Sequence, residues 1–168
     1  EVIAALSIRL DPSTHFSRFI LMGSYGDSGE TYAFDQNGLM ISNSRFDIQL
    51  REVGLIENSQ KSALNIYVRD PGGNLFEGHP KPTNTKPLPY TMMAMSAISG
   101  AAGSNVEGYR DYRGITVMGA WLWNDKLGIG IATEVDSSEA MQVYKDTRMA
   151  LLLEFVFTVF VSLILGGL

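Results

Sequence analysis

The last twenty residues, Met149 to Leu168, read MALLLEFVFTVFVSLILGGL and carry a single charge, Glu154. A helix needs about 20 apolar residues to cross roughly 30 Å of hydrocarbon, so this stretch is just long enough to begin or barely complete a membrane span. The core helix of a soluble domain would be shorter and interrupted by polar positions at helical spacing. From Phe155 to Leu168 only Thr158 and Ser162 are polar; at i,i+4 they share one helix face or bond back to their own backbone. A signal peptide is excluded, since that would be N-terminal and followed by a cleavage site. The chain is therefore expected to be a folded domain that runs into a transmembrane helix.

A length of 168 residues suits one domain with an appendage, because single cores cluster near 100 to 150 residues. The net charge is −5 and no basic run interleaves with aromatics, which removes nucleic-acid binding from consideration. Without cysteine there is no disulfide, no thiol catalysis and no Cys-ligated zinc.

Glu1 to Leu10 (EVIAALSIRL) is a short apolar run that reads as a strand. Asp11-Pro12-Ser13-Thr14 offers an N-cap with Pro in the first turn, and Phe16, Phe19 and Ile20 supply the i,i+3,i+4 face of a helix ending near Gly23. Thr31 to Phe34 and Leu39 to Ser42 flank Asp35-Gln36-Asn37-Gly38, whose Asn-Gly pair provides the φ > 0 positions of a tight hairpin. Ala63 to Arg69 is a further strand. Leu75 to Pro89 holds Pro80, Pro82, Pro87 and Pro89 and is read as loop. Met92 to Ile98 forms a short helix stopped by Gly100. Asn105 to Tyr112, Gly114 to Leu122 and Leu127 to Val135 alternate as a three-stranded meander. Asp136 and Glu139 then form a capping-box-like D-x-x-E, from which a helix continues into the apolar run with no Pro or Gly before Gly166.

The expected fold is thus α+β: a central antiparallel sheet of about five strands, backed by the N-terminal helix and flanked by loops and a short helix. The order of helix, hairpin, loop-rich middle, meander and exit helix resembles the PAS-like module of bacterial Cache sensor domains. GETYAFDQNGLMISNSRF (Gly29 to Phe46), YRDYRGITVMGAWLW (Tyr109 to Trp123) and LGIGIATEVDSSEA (Leu127 to Ala140) carry that resemblance. It implies an extracytoplasmic, membrane-proximal sensor (residues 11–148), joined through the inner membrane by residues 149–168 to a kinase, cyclase, diguanylate cyclase or chemotaxis output. Residues 1–10 would be the last strand of a membrane-distal module. The Arg-x-Trp-Tyr run of amino-acid-binding distal modules does not occur in this sequence. Lys145 and Arg148 on the near side of the apolar run argue against the implied orientation.

In such a fold the concave face of the meander lines a ligand cavity, and six residues are candidates to touch a small molecule there, between the sheet and the segment from Arg45 to Pro89. Arg45 either clamps an anionic ligand bidentately or makes a salt bridge to Asp47 or Asp111. Tyr67 and Arg69 share a strand face that lines a pocket or meets water. Tyr109 and Asp111 share a face with Arg113 if their strand is regular, with Arg110 and Tyr112 pointing the other way. Trp121, with Trp123 at i,i+2, either roofs a pocket or packs on a helix.

No catalytic arrangement emerges. His15 and His79 are the two histidines and lack metal-binding spacing, and there is no G-x-S-x-G elbow or glycine-rich phosphate loop. Asp35 to Gly38 is a turn rather than a calcium loop. The expectation is a non-enzymatic sensor or relay without cofactor, whose partners are the membrane, a small-molecule ligand and a second copy of the chain. A membrane-anchored assembly subunit and a membrane-anchored hydrolase are the alternatives.

Overall fold

The computed structural model describes residues 16–81 and 88–166. The strand expected at Glu1 to Leu10, the N-cap at Asp11 to Thr14, His15, Pro82 and Pro87 lie outside these residues. Among those described, four strands form one antiparallel sheet in the order β1-β4-β3-β2. They are β1 (Glu30–Asp35), β2 (Gly103–Arg110), β3 (Thr116–Asn124) and β4 (Ile129–Asp136). The last three are the expected meander, each shifted by a residue or two. The β3–β4 turn is built by Asn124, whose carbonyl accepts from Gly128 N–H at 2.8 Å while its side chain accepts from Leu127 N–H at 3.1 Å. Two cross-strand rows run through the middle of the sheet: Tyr32, Ala132 and Trp121, and beside it Glu30, Glu134 and Gly119.

The sheet has four strands where about five were expected, because neither Leu39 to Ser42 nor Ala63 to Arg69 becomes a strand. The hairpin turn itself forms. Gly38 takes φ +74°, and the Asp35 carboxylate accepts from the N–H groups of Asn37 (2.8 Å) and Leu39 (2.9 Å). The returning chain pairs only as isolated bridges, Phe34 with Met40 and Leu39 with Tyr67. Ladder pairing stops because the Ser42 hydroxyl takes the Ala33 N–H at 2.9 Å, the donor that a longer second strand would have used. On the far side Leu64 sits at φ +64°, a left-handed conformation that breaks an extended run.

Short helices pack around the sheet. They are α1 (Ser17–Leu21), which lies on β1, α2 (Asp47–Glu52), and α3 (Met92–Ile98), which lies across the meander. The bounds of α3 are those expected. Thr91 Oγ1 caps it by accepting from Ala94 N–H, and Gly100 at φ +86° ends it. Met93, Ala94 and Ala97 enter a core with Tyr32, Phe34, Met40, Leu50, Val68, Val117, Trp121 and Ala132.

The exit helix departs from its expected form at the root. It comprises α4 (Ser137–Ala140) and α5 (Gln142–Gly166), separated by a turn at Met141. The Asp136 side chain makes no cap bond and Glu139 does not close a capping box, because both carboxylates are engaged elsewhere. Backbone bonds still cross the turn: Met141 N–H reaches Ser137 O (3.1 Å) and Lys145 N–H reaches Met141 O (3.0 Å). The 25 residues of α5 rise about 37 Å at 1.5 Å each. Its large apolar side chains from Leu151 to Leu165 are mostly exposed, so this helix is long and apolar enough to cross a membrane.

Candidate functional site

Charged residues are almost never buried unless paired, yet four lie at the heart of this sheet: Glu30, Asp111, Arg113 and Glu134. The turn after β2 organises them. Asp111 Oδ1 accepts from the N–H groups of Arg113 (2.8 Å) and Ile115 (3.0 Å), folding the chain tightly about Gly114 at φ +77°. That leaves Oδ2 for Arg113 Nε at 2.6 Å. The other arm of Arg113 reaches Asp136 Oδ1 at 2.6 Å, and its guanidinium stacks 3.9 Å from the centre of the Phe46 ring. Arg113 thereby ties the β2–β3 turn to the residue from which α4 starts.

The two glutamates are held by phenols. Glu30 accepts from Tyr112 OH (2.8 Å) and from Arg45 N–H (2.8 Å). Glu134 accepts from Tyr32 OH (2.8 Å) and Tyr109 OH (2.6 Å). Burial raises the pKa of Glu30, opposed by bonds from Ser44 and Tyr112 and by the charge of Arg113. Burial, then the Asp111 charge, pushes Glu134 up to about 8 against the two phenol bonds. The phenols of Tyr32 and Tyr109 are raised by burial and by Glu134, and so stay protonated donors.

A second set of contacts fastens the loop before β1 to α4. The Glu139 carboxylate accepts from the N–H groups of Asp27 (2.9 Å) and Ser28 (2.7 Å) and from the Ser28 hydroxyl, which holds its pKa below the usual value. Ser28 Oγ in turn accepts from Asp136 N–H at 3.0 Å. The same loop is gripped from its other side by the Arg45 guanidinium, which donates to the carbonyls of Tyr25, Gly26 and Gly29. Since Arg45 N–H also holds Glu30, the buried network, the loop and the root of the exit helix form one hydrogen-bonded unit.

The six expected ligand residues are each engaged in separate contacts or partly exposed. Arg45 does not make the salt bridge to Asp47 or Asp111: its guanidinium clamps loop carbonyls, while Asp111 pairs with Arg113 and Asp47 with Arg51. Tyr67 is half-exposed; Arg69 donates to Leu88 O (2.6 Å) and lies 4.3 Å from the Tyr90 ring centre. Tyr109 and Asp111 are spent on Glu134 and Arg113. Trp121 packs on α3 and donates from Nε1 to Ser96 Oγ at 2.9 Å. Phe46, Leu50, Ile56, Ile66 and Val68, from the segment after Arg45, are buried in the same core as Tyr32, Tyr109 and Trp121 of the sheet. The strand carrying Tyr109 is also not regular: β2 bulges between Asn105 and Tyr109 and ends at Arg110. Tyr112 therefore turns inward with Tyr109 instead of away from it.

An open cavity of about 830 Å³ lies on the opposite face of the sheet. Met118, Gly119, Ala120, Thr133, Glu134 and Val135 line it from β3 and β4, loop residues Tyr25 and Asp27 from one side, and Glu139, Gln142 and Asp146 from the exit helix. None of the six expected residues lines it. Among the described residues no group of three or more His, Cys, Asp and Glu is placed to hold a metal ion.

Sequence reasoning missed Glu30, Glu134, Tyr112, Arg113 and Asp136 as a network. The available signal was a charged residue in phase with small or aromatic residues on a strand, Glu30 with Tyr32 and Glu134 with Ala132. Comparison with protein-family models, with curated proteins and with solved structures found no match to this chain.

Proposed function

We propose that this chain is the extracytoplasmic, membrane-proximal sensing or relay region of a bacterial transmembrane receptor, built as a PAS-like Cache module, with α5 as its membrane helix. The observation that carries the reading is the double fastening of α4 to the sheet, through Arg113 to Asp136 and through Glu139 to Ser28 and Asp27. A mere tether needs no such root. A helix held by charged bonds to two separate parts of a domain follows any rearrangement of either part. The element order on which the resemblance rests supports the same reading, and so does the exposed apolar surface of α5.

Two measurements test it. The chain should stay with the membrane fraction after alkaline extraction; release as soluble protein refutes the span. Inserting Gly-Gly-Gly after Val143 should uncouple output from stimulus with the domain still folded, since each Gly costs about 1 kcal/mol of helix propensity. A receptor with that insertion and a normal response leaves α5 as a tether only. The exposed Val106 and Leu122 on the cavity face of the sheet favour the second reading, a membrane-anchored assembly subunit that docks through this face.

A further inference from the structure

We propose that the Glu134 carboxyl is a proton-binding site, and that gain or loss of its proton is a stimulus delivered to the root of the exit helix. The second half rests on the relay reading above; the first stands on the geometry alone. Glu134 is 3 % exposed, and its two oxygens meet two phenols and no cation. The strand opposite makes room for this cradle only because residue 119 is glycine. A Cβ there would lie 2.6 Å from Tyr109 Oη and 2.8 Å from Glu134 Cγ.

The charges around the site disfavour an ionised Glu134. From β1 come Glu30, its register partner, and Tyr32; from β2, Tyr109; from the turn, Asp111, Tyr112 and Arg113. Asp136 follows on β4 itself, α4 packed on β4 carries Glu139, and the Arg45 guanidinium is turned to the loop carbonyls. Neither β3 nor α3 carries an acid, a base or a tyrosine. Arg113 commits its Nε to Asp111 and one Nη to Asp136. Burial and Asp111 together place the Glu134 titration near neutrality, at about 8.

The exchange balances simply. Protonated Glu134 donates its O–H to one phenol oxygen, whose own hydrogen gives up its bond to the carboxyl, and accepts from the other phenol. On deprotonation the proton leaves to water, and the carboxylate accepts from both phenols. The new negative charge is set against that of Asp111, whose pair with Arg113 is the other half of the tie to Asp136, and this favours the state in which the α4 root is released. Glu134 and Asp136 are two residues apart on one strand, so the event and its readout share an element.

The test uses the full chain in lipid nanodiscs. Infrared difference spectra between about pH 6 and about pH 10 should show one buried protonated carboxyl lost with a midpoint near 8, absent from Glu134→Gln. Amide hydrogen exchange over residues 137–141, corrected for its intrinsic pH dependence, should accelerate over the same interval in the parent and stay flat in E134Q. Should E134Q not fold, Tyr109→Phe, which keeps the ring and removes a donor to the ionised form, should raise the midpoint by about one pH unit. No carboxyl titrating in that interval, the same titration in E134Q, or an unmoved midpoint in Y109F overturns the proton site. Titration of Glu134 with unchanged exchange in α4 overturns the link to the exit helix, independently of whether the chain spans a membrane.

Discussion

Replacing Arg113 by Met is the most direct probe of the buried network. Arg113 is 2 % exposed, and its guanidinium bonds two carboxylates at 2.6 Å each and stacks on Phe46. Met preserves most of the volume and the contact with the ring, so the loss is electrostatic. It leaves Asp111 fully buried without its partner and close in charge to Glu30 and Glu134. Breaking a buried pair from one side costs about 3–5 kcal/mol, whereas removing both charges is often nearly neutral. We therefore expect Arg113→Met to lower stability by about 3–5 kcal/mol at neutral pH, and Arg113→Met with Asp111→Asn to recover at least half of that. Urea unfolding of the full chain in detergent, followed by the fluorescence of Trp121 and Trp123, measures both. The single variant should also gain stability as pH falls, because a stranded buried Asp111 binds its proton more readily folded than unfolded. A cost below about 1 kcal/mol, the range of surface ion pairs, or a double variant no better than the single one, would show that the network does not hold the turn to β4.

The same geometry sets two further outcomes. Gly119→Ala should destabilise the fold by about 1–3 kcal/mol, since its Cβ would meet Tyr109 Oη at 2.6 Å and Thr133 O at 2.7 Å; an unchanged urea midpoint refutes the close approach. In the parent, Glu134 ionises at about 8 when folded against an ordinary value of 4.5, so the folded state holds the extra proton between those values. Stability should then be full below about pH 4.5 as regards this group and fall as pH rises towards 8, by up to about 1.4 kcal/mol per unit. A flatter profile in E134Q is expected, and an identical slope in both proteins rules Glu134 out as its source.

Local chemistry made several elements legible in advance. Seven positions from Met92 to Ile98, capped by Thr91 and stopped before Gly100, specify α3 through contacts within one or two turns. Asp35 to Gly38 specify a turn in the same way. The apolar run that ends α5 needs no partner to be read as a possible span, because its composition alone sets its preferred solvent.

What the sequence determined, then, was where the meander, α3 and the exit helix lie; the tertiary structure decided that Leu39 to Ser42 and Ala63 to Arg69 stay outside the sheet, which strand faces turn inward and which charges meet. Alternation along a strand defines two faces but does not say which one the rest of the chain will cover. On β4 the more apolar parity is Ile129, Ile131, Thr133 and Val135, yet beyond Ile129 at the strand's start it is Gly130, Ala132 and Glu134 that are buried. Small residues there leave room for Phe34 and, across on β3, Gly119 leaves room for Glu134 itself. The polar partners of Glu134, Arg113 and Glu139 lie up to 112 residues away in the chain, brought together only when β1 docks beside β4 and the turn after β2 folds inward. A hydrogen bond of that span has no local signature, because its energy is realised only once the backbone on both sides is already in place.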